Sequence, residues 1–389
     1  MRMLEVVSQA DRKDFLTFPL SIYQSFPAWI QPLNADIESV FDPTKNKTFK
    51  HGECVRWLLK DASEKTIGRL AAFVNQKTVM KGNDQPTGGI GFFECIENKE
   101  AAFFMLDQGK AWLQSKGMEA MDGPINFGSR DRWWGLLVDG YEREPNYQCN
   151  YNPPYYKDFF EAYGFKEYFK QFTFARKTMD ALSPRLAHKA EIASKDPDYQ
   201  FRYLSKNELP NLGEYIREVY NKAWANRAEN PEITSQQAAL IVKQMKPILD
   251  NKLLFFGFYK GNPVGFFLSL PEINQIFRHV HGNLNWWGKL KFVWLRWRKI
   301  NTKAFGILFG VVPEHQGKGV DGAMIMEARK LWQGPYKRYE DYEMNWIGDF
   351  NPKMINVVEQ VGGFVSKTHI TYRKLFDETK PFTRHPILK

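Results

Sequence analysis

The sequence predicts an α+β protein made of two successive domains that share one order of strands and helices. The chain has 389 residues, more than one domain of ordinary size contains. Its hydrophobic content of 43% and aromatic content of 15% supply enough apolar surface for packed cores. The third observation is that strand-like and helix-like segments follow each other in the same order in both halves. We therefore predict a duplicated α+β architecture.

The first half, residues 1–177, alternates short strand patterns with helical ones. Between positions 98 and 114, apolar residues that include Ala101, Leu106 and Leu113 recur at helical spacing, and Gly117 stands where the helix would end. The predicted strands cover residues 4–7, 54–59, 67–74, 89–95 and 119–121, with closing strands up to 174. The predicted helices cover residues 10–23, 98–114 and 153–163.

The second half, residues 199–389, repeats this order after a connector. Residues 178–198 are polar and contain Pro184 and Pro197, which predicts a connector that is partly helical. A hairpin is predicted where Gly261-Asn262 separates two apolar runs. The predicted strands cover residues 201–204, 253–259, 264–270, 304–312, 342–347, 363–365 and 370–375. The predicted helices cover residues 208–223, 235–249, 321–332 and 352–361, and an insertion occupies residues 274–302.

Charge and cysteine content restrict the kinds of partner and compartment. The net charge of +10 favours anionic partners such as coenzyme A, nucleic acid or acidic lipid. Cys54, Cys95 and Cys149 are far apart and odd in number, so no disulfide framework is predicted. The seven histidines show no ligand spacing, and no metal site is predicted. The chain shows neither a signal-peptide core nor an apolar run of about 18 residues, so we expect a cytoplasmic protein.

The most informative segment joins a strand pattern at 304–312 to a helix pattern at 321–332 through a glycine-rich turn, Gln316-Gly317-Lys318-Gly319. Backbone N–H groups of such a turn and of the helix start converge on one point and hold an anion. Glycine at 317 and 319 lets the backbone approach phosphate oxygens closely, and Lys318 adds positive charge. These residues alone predict a phosphate-binding turn.

This segment resembles the coenzyme loop of the GNAT superfamily of N-acetyltransferases, whose pattern is Gln/Arg-x-x-Gly-x-Gly/Ala. The later run from Asn351 to Phe364, an Asn-led helix pattern that ends in Gly-Gly-Phe, is similar to the element that follows in that family. The resemblance covers roughly residues 201–374, about half of the chain. It implies two GNAT-like domains, each a mixed and mostly antiparallel sheet flanked by helices.

The resemblance also implies that the second half binds acetyl-CoA or another acyl-CoA as a co-substrate. Residues 316–320 would hold the pyrophosphate, the strand 307–311 would pair with the pantetheine arm, and Asn351 would support the coenzyme from the next helix. The coenzyme-binding residues implied in this way are Leu308, Phe309, Gly310, Val311, Val312, Gln316, Gly317, Lys318, Gly319, Val320, Asp321, Gly322 and Asn351.

Two positions depart from the family pattern. Asp321 stands where the family has a second glycine or alanine, and a carboxylate beside pyrophosphate is unfavourable unless it turns away. Val358 stands seven residues after Asn351, where many members have a tyrosine that protonates the leaving thiolate. Valine transfers no proton, so coenzyme binding is better supported than catalysis by the usual acid.

The first half resembles the same family more weakly and is expected to be a degenerate GNAT-like domain. Residues 67–72 and 88–93 look like its central strands, and residues 152–165 look like its Asn-to-Gly-Phe helix. No glycine turn follows Cys95, and Phe160 stands where the tyrosine might be. We expect this half to shape the acceptor site without binding coenzyme A.

The insertion 274–302 contains a run of tryptophans interleaved with bases from Trp286 to Lys299. Three interpretations remain open for this run. Its rings pack against the sheet or the other domain while the bases face water. Alternatively, the run is an amphipathic helix that contacts an anionic membrane or a lipid-like substrate. The third interpretation is RNA binding by stacking and charge, although a nucleic-acid partner is the least expected.

An amine acceptor must lose a proton, usually to a carboxylate. Glu272, Glu343 and Asp349 lie near the ends of predicted central strands and are the candidate bases, although ordinary surface acids look the same. The leading functional prediction is acyl transfer, with acetyl as the expected group, from acyl-CoA to an unidentified amine in a ternary complex. The alternatives are a tRNA-dependent aminoacyl-transferase of the Fem type and a catalytically inactive coenzyme-binding or scaffold protein.

Overall fold

A computed structural model describes residues 1–224 and 232–387, so positions 388 and 389 of the predicted second domain lie outside it. The strands in this part of the chain are β1 Arg2–Glu5, β2 Gly52–Lys60, β3 Thr66–Asn75, β4 Thr87–Cys95, β5 Ala120–Gly123, β6 Leu136–Asp139, β7 Lys166–Lys177, β8 Tyr199–Tyr203, β9 Leu254–Tyr259, β10 Asn262–Pro271, β11 Lys303–Val311, β12 Asp341–Gly348 and β13 Phe364–Leu375. The helices are α1 Gln9–Thr17, α2 Pro19–Ile22, α3 Asn34–Val40, α4 Lys99–Ser115, α5 Tyr155–Ala162, α6 Pro184–Lys195, α7 Leu212–Trp224, α8 Ser235–Met245, α9 Asn274–Phe277, α10 Trp286–Trp297, α11 Val320–Gln333 and α12 Pro352–Gln360.

All strands join one continuous sheet. Its order is β1-β2-β3-β4-β5-β13-β7-β12-β11-β10-β9-β8, and β6 pairs with β13 outside this order. Among the described strands, β4 with β5 and β11 with β12 are the parallel neighbours, and the other pairs are antiparallel. The predicted α+β class with a mixed, mostly antiparallel sheet flanked by helices is therefore confirmed.

The two halves of the chain exchange their last strands at the centre of the sheet. Strand β13, at the end of the second half, pairs with β5 of the first half, from Tyr372↔Gly123 to Leu375↔Ala120. Strand β7, at the end of the first half, pairs with β12 of the second half. The long strands β7 and β13 also pair with each other. A domain boundary at residue 177 would therefore assign β7 to the first half, although β7 pairs with β12 of the second half.

The hydrophobic cores follow the exchange. Ile370 and Tyr372 of β13 pack in the core of the first half, together with residues such as Leu70, Ile90 and Leu106. A second core surrounds Phe256, Phe266 and other residues of β9 and β10. The first half therefore completes its core with a strand from the far end of the chain.

The insertion contains α9 and α10, and the predicted amphipathic helix is confirmed as Trp286–Trp297. The interpretation that its rings pack against the protein is wrong for four tryptophans, Trp286, Trp287, Trp294 and Trp297, whose side chains are exposed. Helix α10 buries Gly288 and Leu295 instead, so its other face is turned to solvent. Among the described helices, none combines the length and apolar character that crossing a bilayer requires.

Replacing Ile370 by alanine tests the strand exchange. Ile370 is 5% exposed within the core of the first half, so Ile370→Ala should lower the free energy of unfolding by about 3 kcal/mol. Val365 lies on the same strand but is 41% exposed, so Val365→Ala should cost less than about 1 kcal/mol. The measurement is urea-induced unfolding followed by circular dichroism. Equal losses in the two variants would contradict the exchange.

Candidate active site

The parallel strands β11 and β12 pair only along their first halves. Their register runs from Lys303↔Asp341 to Gly306↔Met344, whereas β11 continues to Val311. Residues 307–311 therefore pair with β10 on one side and border an open gap on the other. Backbone N–H and C=O groups along such an edge accept a further extended chain that carries amides.

The gap opens into an apolar cleft of about 860 Å³, a volume that includes its open mouth. Its walls come from β11, α11 and α12. The apolar lining residues include Ile307, Leu308, Phe309, Ile325, Trp332, Met344, Met354, Val357, Val358 and Val361. The polar lining residues are Arg176, Thr178, Arg329, Tyr342 and Asn345. The sequence prediction of the site missed these polar residues. Arg176, for example, belongs to β7, which reaches the second half only through the strand exchange.

The glycine-rich turn lies between the end of β11 and the start of α11. The side-chain amide of Gln316 donates to the Val311 carbonyl at 2.8 Å, which ties the turn to the strand. Gly317 has φ of +75°, and a Cβ there would meet no atom within 4 Å. Gly319 has φ of +84°, and a Cβ there would lie 2.3 Å from the Lys189 carbonyl oxygen. Glycine at 319 therefore serves two purposes. It adopts the positive φ that the turn requires, and its lack of a side chain leaves space for α6 of the connector.

The start of α11 is free of a side-chain cap. Its N-cap residue is Gly319, so no side chain accepts from the first backbone N–H groups of the helix. Asp321 stands in the first turn, where a carboxylate is favourable to the helix dipole. Lys318 is exposed beside it. The first-turn N–H groups and Lys318 together suit a bound anion such as a pyrophosphate.

Asn351 caps its own helix. The Asn351 Oδ1 atom accepts from the Met354 backbone N–H at 3.3 Å, which fixes the start of α12 beside the cleft. Val358 is almost fully buried and lines the cleft wall. Asn351 thus orders one wall of the cleft.

The matching gap in the first half is closed. Beyond Gly89↔Asp122, the Ile125 N–H donates to the Ile90 carbonyl at 2.7 Å. A Cβ on Gly91 would lie only 1.9 Å from the Ile125 carbonyl oxygen, so the chain after β5 crosses directly over β4. No room for an extended ligand remains between these strands.

The helix start of the first half is also satisfied internally. Asn98 is the N-cap of α4, and its Oδ1 atom accepts from the Ala101 N–H at 2.9 Å. Tyr156 receives a hydrogen bond from the Cys95 N–H at 2.7 Å, and Tyr155 donates to the Cys95 carbonyl at 3.0 Å. These contacts join the end of β4 to α5, and α4, unlike α11, has a side-chain cap at its start.

Asn345 lies where β11 and β12 separate, directly after the last residue of β12 that pairs with β11. Its Oδ1 atom accepts from Thr173 Oγ1 at 2.7 Å and from Asn146 Nδ2 at 3.1 Å, and its Nδ2 atom donates to Cys149 Sγ. Asn345 borders both the apolar cleft and a smaller cavity that is also lined by Cys149 and His369. Asn345 therefore lies between the two cavities.

Glu343 is held in a buried ion triad. Its Oε1 atom lies 3.1 Å from Lys303 Nζ and its Oε2 atom 2.8 Å from Lys367 Nζ. Burial would raise the pKa of Glu343, but the two ammonium groups hold it below its usual value. Burial lowers the pKa of Lys367. This carboxylate stays charged and joins three strands of the sheet.

Glu272 has a different environment. Its Oε1 atom accepts from the backbone N–H groups of Tyr147 at 3.1 Å and Asn274 at 2.9 Å. Its buried Oε2 atom has no hydrogen-bond partner among the described residues. Burial raises the pKa of Glu272 to about 7. A carboxyl group with this pKa can exchange a proton near neutral pH.

Asp349 and His369 are less suited to accept a proton. Asp349 pairs with Arg384 at 2.6 Å and holds the C-terminal segment against the sheet. His369 has Nε2 3.0 Å from the Asn150 carbonyl oxygen, so Nε2 carries the proton. Burial lowers the pKa of His369 to about 4, which makes it neutral and a weak base.

Glu272→Gln should change how stability depends on pH. Folding raises the pKa of Glu272. The contribution of this carboxyl group to folding stability is therefore fully present below its unfolded pKa and is lost as pH rises through about 7. The stability of the variant relative to the wild type should therefore rise by roughly 2.5 kcal/mol between pH 5 and pH 8. Urea unfolding at both pH values measures this difference.

Glu343→Gln is the matched control, because it removes a buried carboxylate that two lysines neutralise. It should destabilise the protein at both pH values. If the Glu272→Gln difference is the same at pH 5 and pH 8, Glu272 titrates normally in the folded protein.

Two curated proteins resemble this chain along nearly its whole length. The bacterial ceramide synthase of Caulobacter vibrioides is 24% identical over 380 residues, which cover 96% of this chain and 97% of that protein. Protein YghO of Escherichia coli is 24% identical over 373 residues, which cover 95% of this chain and 94% of that protein. No family model matches the chain.

Two solved structures share the architecture. A tandem GNAT protein from the clavulanic acid biosynthesis pathway superposes with a TM-score of 0.50 and 9% identity, covering 96% of this chain and 98% of that one. A GCN5-related glucosamine N-acetyltransferase region of a fungal multi-domain GH3 β-N-acetylglucosaminidase superposes with a TM-score of 0.53 and 9% identity. That match covers 96% of this chain and 38% of the fungal chain. The protein therefore has the tandem GNAT fold.

Proposed function

We propose that this protein is an N-acyltransferase that transfers an acyl group from acyl-CoA to an amine. The observation that carries the proposal is the gap between β11 and β12, which opens beside the uncapped, glycine-rich start of α11. The strand edge, the anion-binding helix start and the apolar cleft lie next to one another and would take the pantetheine, the pyrophosphate and the acyl chain, respectively. The closed first half offers none of these features.

The coenzyme would lie against residues that the sequence already indicates. The first-turn N–H groups of α11 and residues 316–319 would hold the pyrophosphate, with Lys318 adding charge. The pantetheine amides would complete the free edge of residues 307–311, with Val312 and Asn351 at the open end of the gap. Gly322 packs against Leu186 of α6, so its role is to seat the helix.

The acyl chain would occupy the cleft between α11 and α12. Most of its lining side chains are apolar, and it extends from the strand gap to Trp332 and Val361. An acetyl group would fill only the start of this space, whereas a long acyl chain would remove its apolar walls from water. We therefore propose a long-chain acyl-CoA as the donor, in place of acetyl-CoA.

The acceptor is proposed to be a long-chain amino alcohol of the sphingoid type. The relative named bacterial ceramide synthase supports this class, because a ceramide is the amide of such an amine. In the cavity on the other side of Asn345, Gln171, Thr173 and His369 would offer hydrogen-bonding partners to the amino and hydroxyl groups. The acceptor and the donor would then approach Asn345 from opposite faces of the sheet.

The reaction is proposed to be a direct transfer. The amine nitrogen attacks the thioester carbonyl carbon, the new C–N bond forms, the C–S bond breaks, and the amine proton leaves. Glu272 would accept that proton and pass it to the departing thiolate, so that the coenzyme leaves as a free thiol. Burial raises the pKa of Cys149 to about 12, so this cysteine stays protonated and is not suited to form an acyl-enzyme. Because acyl-CoA is made in the cytoplasm, we place the reaction there.

Lys318→Glu tests the proposed pyrophosphate site. The substitution replaces a positive charge beside the diphosphate by a negative one, so the affinity for coenzyme A should fall at least about tenfold. Lys337→Glu makes the same charge change beyond the opposite end of α11 and should change the affinity less than about twofold. Calorimetry with coenzyme A measures both. Equal effects of the two variants, or no binding by wild type at millimolar coenzyme, would contradict the site.

Val357→Trp tests both the cleft and the reaction. Wild-type protein should release free thiol from hexadecanoyl-CoA only when sphinganine is present, and mass spectrometry should show the amide. Val357 lines the cleft, so a tryptophan there should shorten it and lower the activity ratio of hexadecanoyl-CoA to hexanoyl-CoA by at least about tenfold.

Asn356→Trp is the control, because Asn356 is the neighbouring exposed residue on α12 and should leave that ratio unchanged. An equal change of the activity ratio in both variants would mean that the acyl chain binds outside this cleft. Coenzyme binding without thiol release from any amine would instead favour the coenzyme-binding scaffold.

A further inference from the structure

Helix α10 exposes large apolar side chains together with its basic ones. Trp286, Trp287, Trp294 and Trp297 are between 52% and 75% exposed. Leu290 and Val293, on the same helix, are 45% and 64% exposed. Single exposed apolar residues are ordinary on protein surfaces, but a contiguous set of large ones marks a contact surface.

These side chains form one stripe along the helix. At 3.6 residues per turn, Trp286, Leu290, Val293 and Trp297 follow one another on one face, with Trp287 and Trp294 beside them. Basic residues border the stripe on both sides, Lys289 and Arg296 along one edge and Lys291 and Arg298 along the other. The run 283–302 contains no Asp or Glu. The outward face is therefore an apolar band between two positive edges.

The rest of the protein holds α10 in this orientation. Gly288 has no room for a side chain, because a Cβ there would lie 2.2 Å from the Asn283 carbonyl oxygen. Phe292 packs against Phe277 of α9 with ring centroids 5.6 Å apart. Arg296 donates to the Leu249 carbonyl at 3.1 Å. The inner face is fixed, so the tryptophan stripe cannot turn inward.

Three kinds of partner could bind this face of α10, and the chemistry of its side chains favours one of them. A second copy would bring two sets of uncompensated bases together. Single-stranded RNA stacks on aromatic rings in a basic groove, but it gains nothing from the exposed aliphatic Leu290 and Val293. Tryptophan rings and aliphatic side chains between basic edges match the boundary between acyl chains and anionic headgroups.

We propose that α10 lies flat on an anionic lipid bilayer and anchors the protein there. The stripe would enter the boundary between headgroups and acyl chains, and Lys289, Lys291, Arg298 and Lys299 would contact the anionic headgroups. The inference rests on α10 alone. It stands whether or not the cleft binds acyl-CoA, although a membrane anchor would bring the protein to lipid substrates.

Vesicle co-sedimentation with the full chain tests the anchor. Wild-type protein should pellet with vesicles of phosphatidylcholine containing 30% phosphatidylglycerol, and much less with phosphatidylcholine alone or at 1 M salt. The variant with Trp286, Trp287, Trp294 and Trp297 changed to Gln should lose binding to the anionic vesicles. Because these side chains are exposed, its melting temperature should match that of the wild type.

Charge reversal provides the matched comparison. Changing Lys289, Lys291, Arg298 and Lys299 to Glu should lower the partition coefficient by about a hundredfold or more. The same change at four exposed lysines of the first half, Lys47, Lys50, Lys77 and Lys81, removes equal charge and should have a much smaller effect.

Two different outcomes would contradict the membrane anchor. Equal effects of the two charge-reversed variants would mean that net charge alone drives binding, which overturns the anchor. No pelleting of wild type with anionic vesicles also overturns it. In that case, tryptophan-dependent binding of an RNA oligonucleotide would assign the stripe to RNA, and a tryptophan-dependent dimer in light scattering would assign it to a second copy.

Discussion

The antiparallel pairing of β7 with β13 is the constraint on which the rest of the structure depends. Each of these strands closes the sheet of the other half, so the two halves cannot fill their cores separately. The same pair places Thr173 of β7 beside Asn345 of β12, where β11 and β12 separate. It also places Lys367 of β13 against Glu343. The polar groups around Asn345 and Glu343 therefore come from strands that only the exchange brings together.

The two halves share one topology but differ in what fills the gap between their parallel strands. In the first half, the backbone at Ile125 crosses over Gly91, and Asn98 caps the following helix. In the second half the strands separate after Gly306, and Gly319 leaves the helix start uncapped. The duplicated fold thus keeps one open gap, and the first half contributes Asn146 and Cys149, which contact Asn345 beside that gap.

Much of this arrangement was predictable from the sequence, because local patterns specify it. The strand, glycine turn and helix at 304–332 were predicted, as was the lack of a glycine turn after Cys95. The strand exchange was not predictable, because alternating side chains specify a strand but not its partner. Asn345 was missed for the same reason, since its role depends on Thr173 and Asn146, which are distant in sequence. The orientation of α10 was also undetermined, because either face of a helix so rich in tryptophan can be the buried one.

The central claim is that the gap between β11 and β12 holds acyl-CoA. A crystal structure of the protein with hexadecanoyl-CoA tests it most directly. The account predicts the diphosphate on the backbone N–H groups of residues 317–322, the pantetheine arm along residues 307–311 and the acyl chain among Ile325, Val357 and Val361. A coenzyme bound outside this gap, or an acyl chain outside the cleft with the gap empty, would contradict it.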